Sequence, residues 1–414
     1  VSYFGILKIK RGYVEMEKRM LDMSILGFGC MRFAKKGGKT DMEEATREVL
    51  YAIDHGVNYF DTAYVYGNNE KVLGEIISKN GIRERMILAT KLPHYLIHSV
   101  EGAERLFNEQ LERLQTDYID NYLMHMLPDV NIWNALVEMG IAEWLQEKKR
   151  QGKIRHIGFS YHGNTENFIK LVDAYDWEFC QVQYNYMDEH TQAGRAGVEH
   201  AYQKGLPVII MEPLRGGRLV NNLPPKAVKA FEEITPKRSP AEWALRWLWD
   251  QEAVACVLSG MNSMEMLQEN IRIAEDVRVG EFSKEERYML DTVKEAINEK
   301  IKVPCTGCGY CQPCPFGVDI PGIFRCYNEC YTDNYFTGFR EYMMCTTFKA
   351  SQTYASLCKK CGKCEKHCPQ NIQIRDELDN ARRKLENPVF HVANAGCKFI
   401  FRKGRKHIRE AEKQ

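Results

Sequence analysis

Residues 86–125 read MILATKLPHYLIHSVEGAERLFNEQLERLQTDYIDNYLMH, and this stretch holds one complete structural unit. It opens with a short apolar run, Met86–Lys91, of the length and composition of a strand buried on both faces. Residues 100–115 then repeat apolar side chains at helical spacing, with Glu and Arg between them. A second apolar run, Tyr118–His125, follows. A strand, a returning helix and a second strand form a parallel βαβ unit.

The pattern repeats in both directions. Expected strands lie upstream at Leu26–Cys30 and Asn58–Asp61, and downstream at Ile154–Ser160, Phe179–Gln183, Pro207–Glu212 and Val254–Ser259. Helical patterns fill the gaps at about 41–56, 69–80, 132–151, 164–174, 193–204, 239–251 and 263–275. Eight such units match a closed (β/α)8 TIM barrel in size and number. An open doubly wound sheet would carry a glycine-rich turn opening a helix after its first strand. Gly27-Phe28-Gly29-Cys30 lacks the third glycine and opens no helix directly. A further helix at about 283–300 closes the barrel domain, assigned to residues 16–300. Residues 1–15 precede Met16, and both a non-native start and a genuine short extension stay open.

Composition narrows the function. Hydrophobic content of 44% with 27% charged residues is that of a globular protein. A net charge of +1 gives no general attraction to nucleic acid or membrane, and neither is expected as a partner. No apolar run reaches the roughly 18–20 residues of a membrane span.

The 15 cysteines cluster instead of spreading. One run is Cys305-x2-Cys308-x2-Cys311-x2-Cys314-Pro315, and the other is Cys358-x2-Cys361-x2-Cys364-x3-Cys368-Pro369. In the second spacing, three close cysteines hold one iron–sulfur cluster and the cysteine before proline reaches the other. The expected ligand sets are Cys305, Cys308, Cys311 and Cys368 on one [4Fe–4S] cluster, and Cys358, Cys361, Cys364 and Cys314 on the second. Paired C-x2-C also binds zinc, but zinc asks neither for the third step nor for the Cys-Pro ending. Thiolate ligands need reduced cysteines, so the expected compartment is cytoplasmic. Residues 301–375 are assigned to this ferredoxin-type domain, mainly α-helical because aromatics and Met recur at helical spacing between the runs. Residues 376–414 form a basic C-terminal tail, and Cys326, Cys330, Cys345 and Cys397 are left over as packing residues or spare thiols.

Asp61 ends the second expected strand, in DTAYVYGNNE (61–70); Lys91 ends the third and His125 the fourth. The C-terminal strand ends of a (β/α)8 barrel face one shared mouth, so these three residues and Tyr66 converge there. Tyr66 has an ordinary pKa near 10, which a neighbouring Lys91 ammonium is expected to lower. Asp61 would hold Lys91, and His125 would orient a carbonyl oxygen. Together they form a general acid beside an electrophilic pocket, suited to protonating an oxyanion as hydride arrives at carbon.

At this point the chain resembles the aldo-keto reductase family, over about residues 20–275. The resemblance implies a (β/α)8 barrel, a nicotinamide cofactor, and Asp61, Tyr66, Lys91 and His125 as a catalytic tetrad. It also implies that Ser160 and Gln181 bind the carboxamide, that Pro213, Leu214, Arg215, Gly216 and Gly217 lie along the pyrophosphate, and that Glu269 and Asn270 contact the adenine. Met211 takes the position that usually stacks an aromatic on the nicotinamide, and Tyr161 follows the serine where Asn is frequent. Met266 stands where many members carry an arginine for the 2′-phosphate, so NADP and NAD both stay open, with NADP the first choice. The whole chain looks like the subgroup fused to a C-terminal two-cluster ferredoxin-like domain. The implied reaction is hydride transfer between a carbonyl and an alcohol, with clusters that pass electrons to or from a redox protein. An electron-transfer protein, or a carbonyl reductase with structural or sensing clusters, is the alternative. Hydride carries two electrons and a cluster one, so coupling would need a converter such as flavin, for which no signature is found.

Overall fold

The computed structural model describes residues 22–127, 129–162, 165–190, 192–221, 223–305, 311–347, 352–368 and 371–396. The segment before Met16, Cys308, Cys397 and the basic stretch from Lys398 lie outside them. The chain divides into two compact units, residues 1–221 with 235–288, and 222–234 with 289–414.

The elements run β1 (Leu26–Gly29), β2 (Lys35–Lys36), β3 (Lys39–Thr40), α1 (Met42–Asp54), β4 (Tyr59–Asp61), α2 (Asn69–Asn80), β5 (Ile87–Leu92), α3 (Val100–Leu114) and β6 (Ile119–Leu127). Then come α4 (Val130–Glu138), α5 (Ile141–Arg150), β7 (Ile154–Tyr161), α6 (Thr165–Val172), β8 (Phe179–Gln183), α7 (Gly194–Gln203), β9 (Val208–Met211) and α8 (Pro225–Glu233). Next are α9 (Pro240–Trp249), β10 (Val254–Ser259), α10 (Met264–Glu275) and α11 (Lys284–Asn298), followed by α12 (Ile320–Thr332), α13 (Tyr335–Tyr342) and α14 (Ile374–Leu385).

Eight strands close into a parallel barrel in the order β1-β10-β9-β8-β7-β6-β5-β4, with β4 pairing back onto β1. The strands are apolar because both faces are covered; every residue of β4 and β10 is buried. Tyr59, Ala89, Leu123, Phe179, Ile209, Cys256 and Leu258 pack together inside, so the barrel is a filled core. The register sets Asp61 beside Ala89, Lys91 beside Leu123 and Ser160 beside Gln181, which brings their strand ends to one rim. Helix starts follow local rules: Ser99, Ser239 and Ser263 each accept a hydrogen bond from a backbone N–H of the first turn.

The single helix expected at 132–151 is two, because Gly140 has φ 92° and cannot continue a helix. The hairpin β2–β3 was not expected; its turn is Gly37-Gly38, both at positive φ. At Gly74, an added Cβ would lie 2.2 Å from the Arg113 carbonyl oxygen, so only glycine lets α2 and α3 meet this closely.

The second unit is helical. Val303, Ile323, Phe324, Cys326, Tyr342, Leu378, Leu385 and Phe390 form its core. The chain leading into the first cysteine run is clamped to α12: Asn328 Oδ1 accepts from Lys302 N and Val303 N, and its Nδ2 donates to Val303 O. Helix α14 crosses the 375/376 boundary drawn from the sequence, and residues 388–396 are helical too. Leu378 and Leu385 carry the apolar spacing that ties this stretch to the core, which the basic character of the tail had obscured. Among the described residues no helix is long and apolar enough to cross a membrane.

Candidate active site

At the barrel rim, Lys91 Nζ donates to Asp61 Oδ1 and Oδ2 at 2.6 and 2.7 Å and to Thr62 O at 2.8 Å. It also lies 5.2 Å from the centroid of the Tyr66 ring. The Lys91 and Asp61 side chains are 1% and 5% exposed, so water screens their attraction little. The Tyr66 and His125 rings meet edge to face at 6.1 Å, and Tyr95 lies 6.4 Å from His125 on another side. All four residues named from the strand ends are therefore together.

Their protonation follows from burial and charge. Burial pulls the Lys91 ammonium down, but the Asp61 carboxylate raises it above its ordinary value, and Lys91 stays protonated. Burial acts first on Tyr66 and pushes its hydroxyl up; Lys91 pulls it back only in part. This corrects the expectation of a lowered Tyr66. The hydroxyl is deeply buried, and the Asp61 charge opposes the Lys91 charge at that site. Burial, with Lys91 second, brings His125 down to about 3, so its imidazole is neutral, and its Nδ1 has no hydrogen-bond partner.

Behind the rim lies a buried polar network that sequence pattern did not reveal. Glu70 Oε1 accepts from Thr90 Oγ1 at 2.7 Å and Gln110 Nε2 at 2.9 Å, while Arg113 reaches Glu70 Oε2 at 3.2 Å. Gln110 also donates to Lys91 O at 3.1 Å and accepts from Tyr122 OH at 2.7 Å. The one signal available was a glutamine on the apolar face of α3.

The residues expected to bind a nicotinamide are distributed around the same rim. Gln181 Nε2 donates to Asp61 Oδ2 at 3.4 Å, and its buried Oε1 has no partner. Ser160 Oγ accepts from Met126 N at 2.8 Å. Met126, directly after His125, has φ 56°, and the β6–β7 register shifts there, so Ser160 supports a strained bulge next to the imidazole. Met211 ends β9 half-buried. In the loop that follows, Arg215, Gly216 and Gly217 all have positive φ, and Arg215 Nε pairs with Asp188 at 3.3 Å. Leu214 and Pro213 precede this turn. On α10, Glu269 accepts from Ser239 Oγ at 2.7 Å and Asn270 donates to Ser259 Oγ at 2.9 Å. Tyr161, which follows Ser160, is fully buried, with its ring centroid 5.2 Å from that of Phe168.

In the second unit, no described cysteine is in a disulfide. Cys305, Cys311, Cys314, Cys358, Cys364 and Cys368 all pack against the helical core, and Cys361 is exposed. Lys360 N donates to Cys358 Sγ at 3.4 Å. Among the described residues no three Cys, His, Asp or Glu side chains gather to hold a metal.

The model of the Aldo/keto reductase family matches residues 25–294, ending before Cys305. The uncharacterized oxidoreductase YqkF of Bacillus subtilis (strain 168) is 29% identical over 296 residues, which covers 63% of this chain and 90% of that protein. Aldo-keto reductase AKR11C1 from Bacillus halodurans, in its holo form, aligns with a TM-score of 0.55 at 26% identity over 66% of this chain and 92% of its own. An aldo/keto reductase from Klebsiella pneumoniae in complex with NADP and acetate aligns with a TM-score of 0.53 at 25% identity, over 66% and 92%.

Proposed function

The chain belongs to the aldo/keto reductase family, and we propose that this oxidoreductase reduces a small-molecule carbonyl to an alcohol, or runs the reverse, with NADP(H) or NAD(H). The observation that carries this reading is the buried Asp61–Lys91 pair, with the Tyr66 ring beside the Lys91 ammonium and against a neutral His125. A Tyr66 hydroxyl raised above its ordinary value is in the donor form at neutral pH. Lys91 stabilises the phenolate left once the proton has gone, and Asp61 keeps Lys91 in place. A neutral imidazole offers one N–H to the carbonyl oxygen without placing a second full positive charge beside Lys91. When bound, the nicotinamide supplies hydride to the carbonyl carbon.

The residues present fit such a cofactor. Gln181 Oε1, a buried acceptor without a partner, suits a carboxamide N–H, and Ser160 keeps its own hydroxyl proton to donate. The Pro213–Gly217 loop would lie along the pyrophosphate, Glu269 and Asn270 at the adenine, and Met211 under the ring. The Klebsiella relative binds NADP. Here Arg215 and Arg272 are already paired with Asp188 and Glu242, and Met266 is exposed, so NADH competes with NADPH. Transfer of deuterium from C4-deuterated NADPH to the product carbinol carbon tests the reaction type; label found only in water would overturn it.

The same reading assigns two [4Fe–4S] clusters to the second unit, with the ligand sets given above. Cluster-type spacing, the absence of disulfides among the described cysteines and the packing of six run cysteines on one core support it. The described thiols do not gather in threes, and no chemical step is drawn through the clusters. Two such clusters require about eight irons per chain with matching sulfide. Zinc without sulfide in anaerobically prepared protein would overturn the assignment. A redox protein partner, with a flavin as converter, follows only if anaerobic NADPH reduces the clusters.

A further inference from the structure

The loop that carries Tyr66 is gripped on both sides by one side chain of α3. Arg113 Nη1 donates to Tyr64 O at 3.3 Å, just before Tyr66, and to Glu70 Oε2 at 3.2 Å, just after the loop. Arg113 Nη2 donates to Glu109 Oε1, and Glu109 Oε2 accepts from Tyr64 OH at 2.8 Å. The guanidinium carbon lies 4.1 Å from the centroid of the Tyr64 ring, so the fork is fixed in direction as well as in reach. Gln110, one turn earlier on α3, ties the same loop to the neighbouring strand. Its Nε2 donates to Glu70 Oε1 at 2.9 Å, Thr90 Oγ1 at 3.0 Å and Lys91 O at 3.1 Å. Glu70 and Gln110 are buried, so water competes little for these bonds. At Gly74, one turn beyond Glu70, α2 packs directly onto the Arg113 carbonyl, which keeps the two helices in register.

We infer that Arg113 is a positioning residue for proton transfer: it holds the Tyr66 loop in place and fixes the hydroxyl relative to Lys91 and His125, while Gln110 holds the Lys91 strand to the same frame. The inference rests on the reading of Tyr66 as the proton donor. Arg113 acts on that hydroxyl through Tyr64 and Glu70. Between these two anchors, Tyr66 N donates to Ala63 O at 3.0 Å, and Tyr66 O accepts from Asn69 N at 3.3 Å. The loop is thus tied internally, and a shift at either anchor is passed to Tyr66. Proton transfer is sensitive to such shifts, since a displacement of about 1 Å can cost roughly a hundredfold in rate. Arg113 also supplies charge. Burial pushes the Glu70 carboxyl up, against the bonds from Thr90, Gln110 and Arg113. Charge and direction are separable at this position: a lysine keeps the charge beside Glu70 but not the planar fork that spans Tyr64 O, Glu70 and Glu109.

The test compares Arg113→Lys with wild type in the full-length protein. Single-turnover reduction of 4-nitrobenzaldehyde by NADPH gives the rate, a fluorescence titration gives NADPH binding, and urea unfolding gives the stability of the fold. A fourth readout needs no turnover: the fluorine NMR line of Tyr66 in cofactor-free protein labelled with 3-fluorotyrosine, identified by its loss in Tyr66→Phe. The expected result is an unfolding midpoint and NADPH binding close to wild type, a rate at least about tenfold lower, and a Tyr66 line that broadens or splits. Tyr64→Ala removes the ring under the guanidinium without stranding Glu70; it should show the same pattern with a smaller rate loss, and it carries the test if Arg113→Lys does not fold. A lowered midpoint with the rate and the Tyr66 line of the folded protein unchanged would reduce Arg113 to a structural residue and overturn the inference. So would a rate loss fully matched by lost NADPH binding. If Tyr66→Phe itself reduces the aldehyde at the wild-type rate, the donor reading fails separately, and the inference falls with it.

Discussion

The Asp61–Lys91 pair should behave as a buried unit, and breaking it from either side should be costly in opposite pH directions. With side chains 5% and 1% exposed, removing one partner strands the other charge. Such a loss costs about 3–5 kcal/mol, against roughly 0.2–1 kcal/mol for a solvent-exposed pair. In Asp61→Asn, burial acts unopposed on Lys91 and depresses it, so the unfolded chain binds more protons and stability rises with pH. In Lys91→Met, burial raises Asp61 without opposition, the folded chain binds more protons, and stability rises as pH falls. The double variant Asp61→Asn/Lys91→Met removes both charges and should recover to within about 1–2 kcal/mol of wild type, yet stay inactive. Urea unfolding followed by the fluorescence of the buried Trp243 and Trp249 reads the stability, and NADPH oxidation with a carbonyl substrate reads the activity. Single variants that each lose less than about 1 kcal/mol, or an active double variant, would refute the reasoning.

Other outcomes follow from the same geometry. His125 is held at about 3 against 6.5 in the unfolded chain, so its contribution to stability is complete above 6.5 and is lost as pH falls toward 3. His125→Asn should therefore flatten the acid limb of a stability–pH curve, by up to about 5 kcal/mol at its foot. Ser160→Ala removes the partner of Met126 N beside a residue at positive φ; it should cost about 1 kcal/mol in denaturant unfolding and weaken nicotinamide binding in a fluorescence titration. Gln110→Ala strips Glu70, Thr90, Tyr122 and the Lys91 carbonyl of a shared partner, and should destabilise by about 2–3 kcal/mol in the same assay.

The barrel was readable because each strand is a short apolar run and each helix an amphipathic one, and these periods survive without tertiary knowledge. Asp61, Lys91 and His125 stood out as polar residues closing apolar strands, where burial without use is costly. What the pattern could not carry was the competition between effects. Tyr66 sits near a cation, as expected, yet burial outweighs that cation. The bulge at Met126 and the Gln110–Glu70 network depend on register and helix packing, which no local period encodes. Gly140 and the Gly37-Gly38 turn were visible letters whose φ only the fold determines. Helix α14 was hidden by its charge, because Arg and Lys on its outer face mask the core spacing of Leu378 and Leu385.

The central claim is that Tyr66 delivers the proton in nicotinamide-dependent carbonyl reduction. The most direct measurement is a single-turnover comparison of wild type and Tyr66→Phe, with NADPH binding checked separately by fluorescence. The account predicts that Tyr66→Phe binds NADPH as wild type does and loses at least about a hundredfold in rate. A Tyr66→Phe protein that converts the carbonyl at the wild-type rate would contradict it.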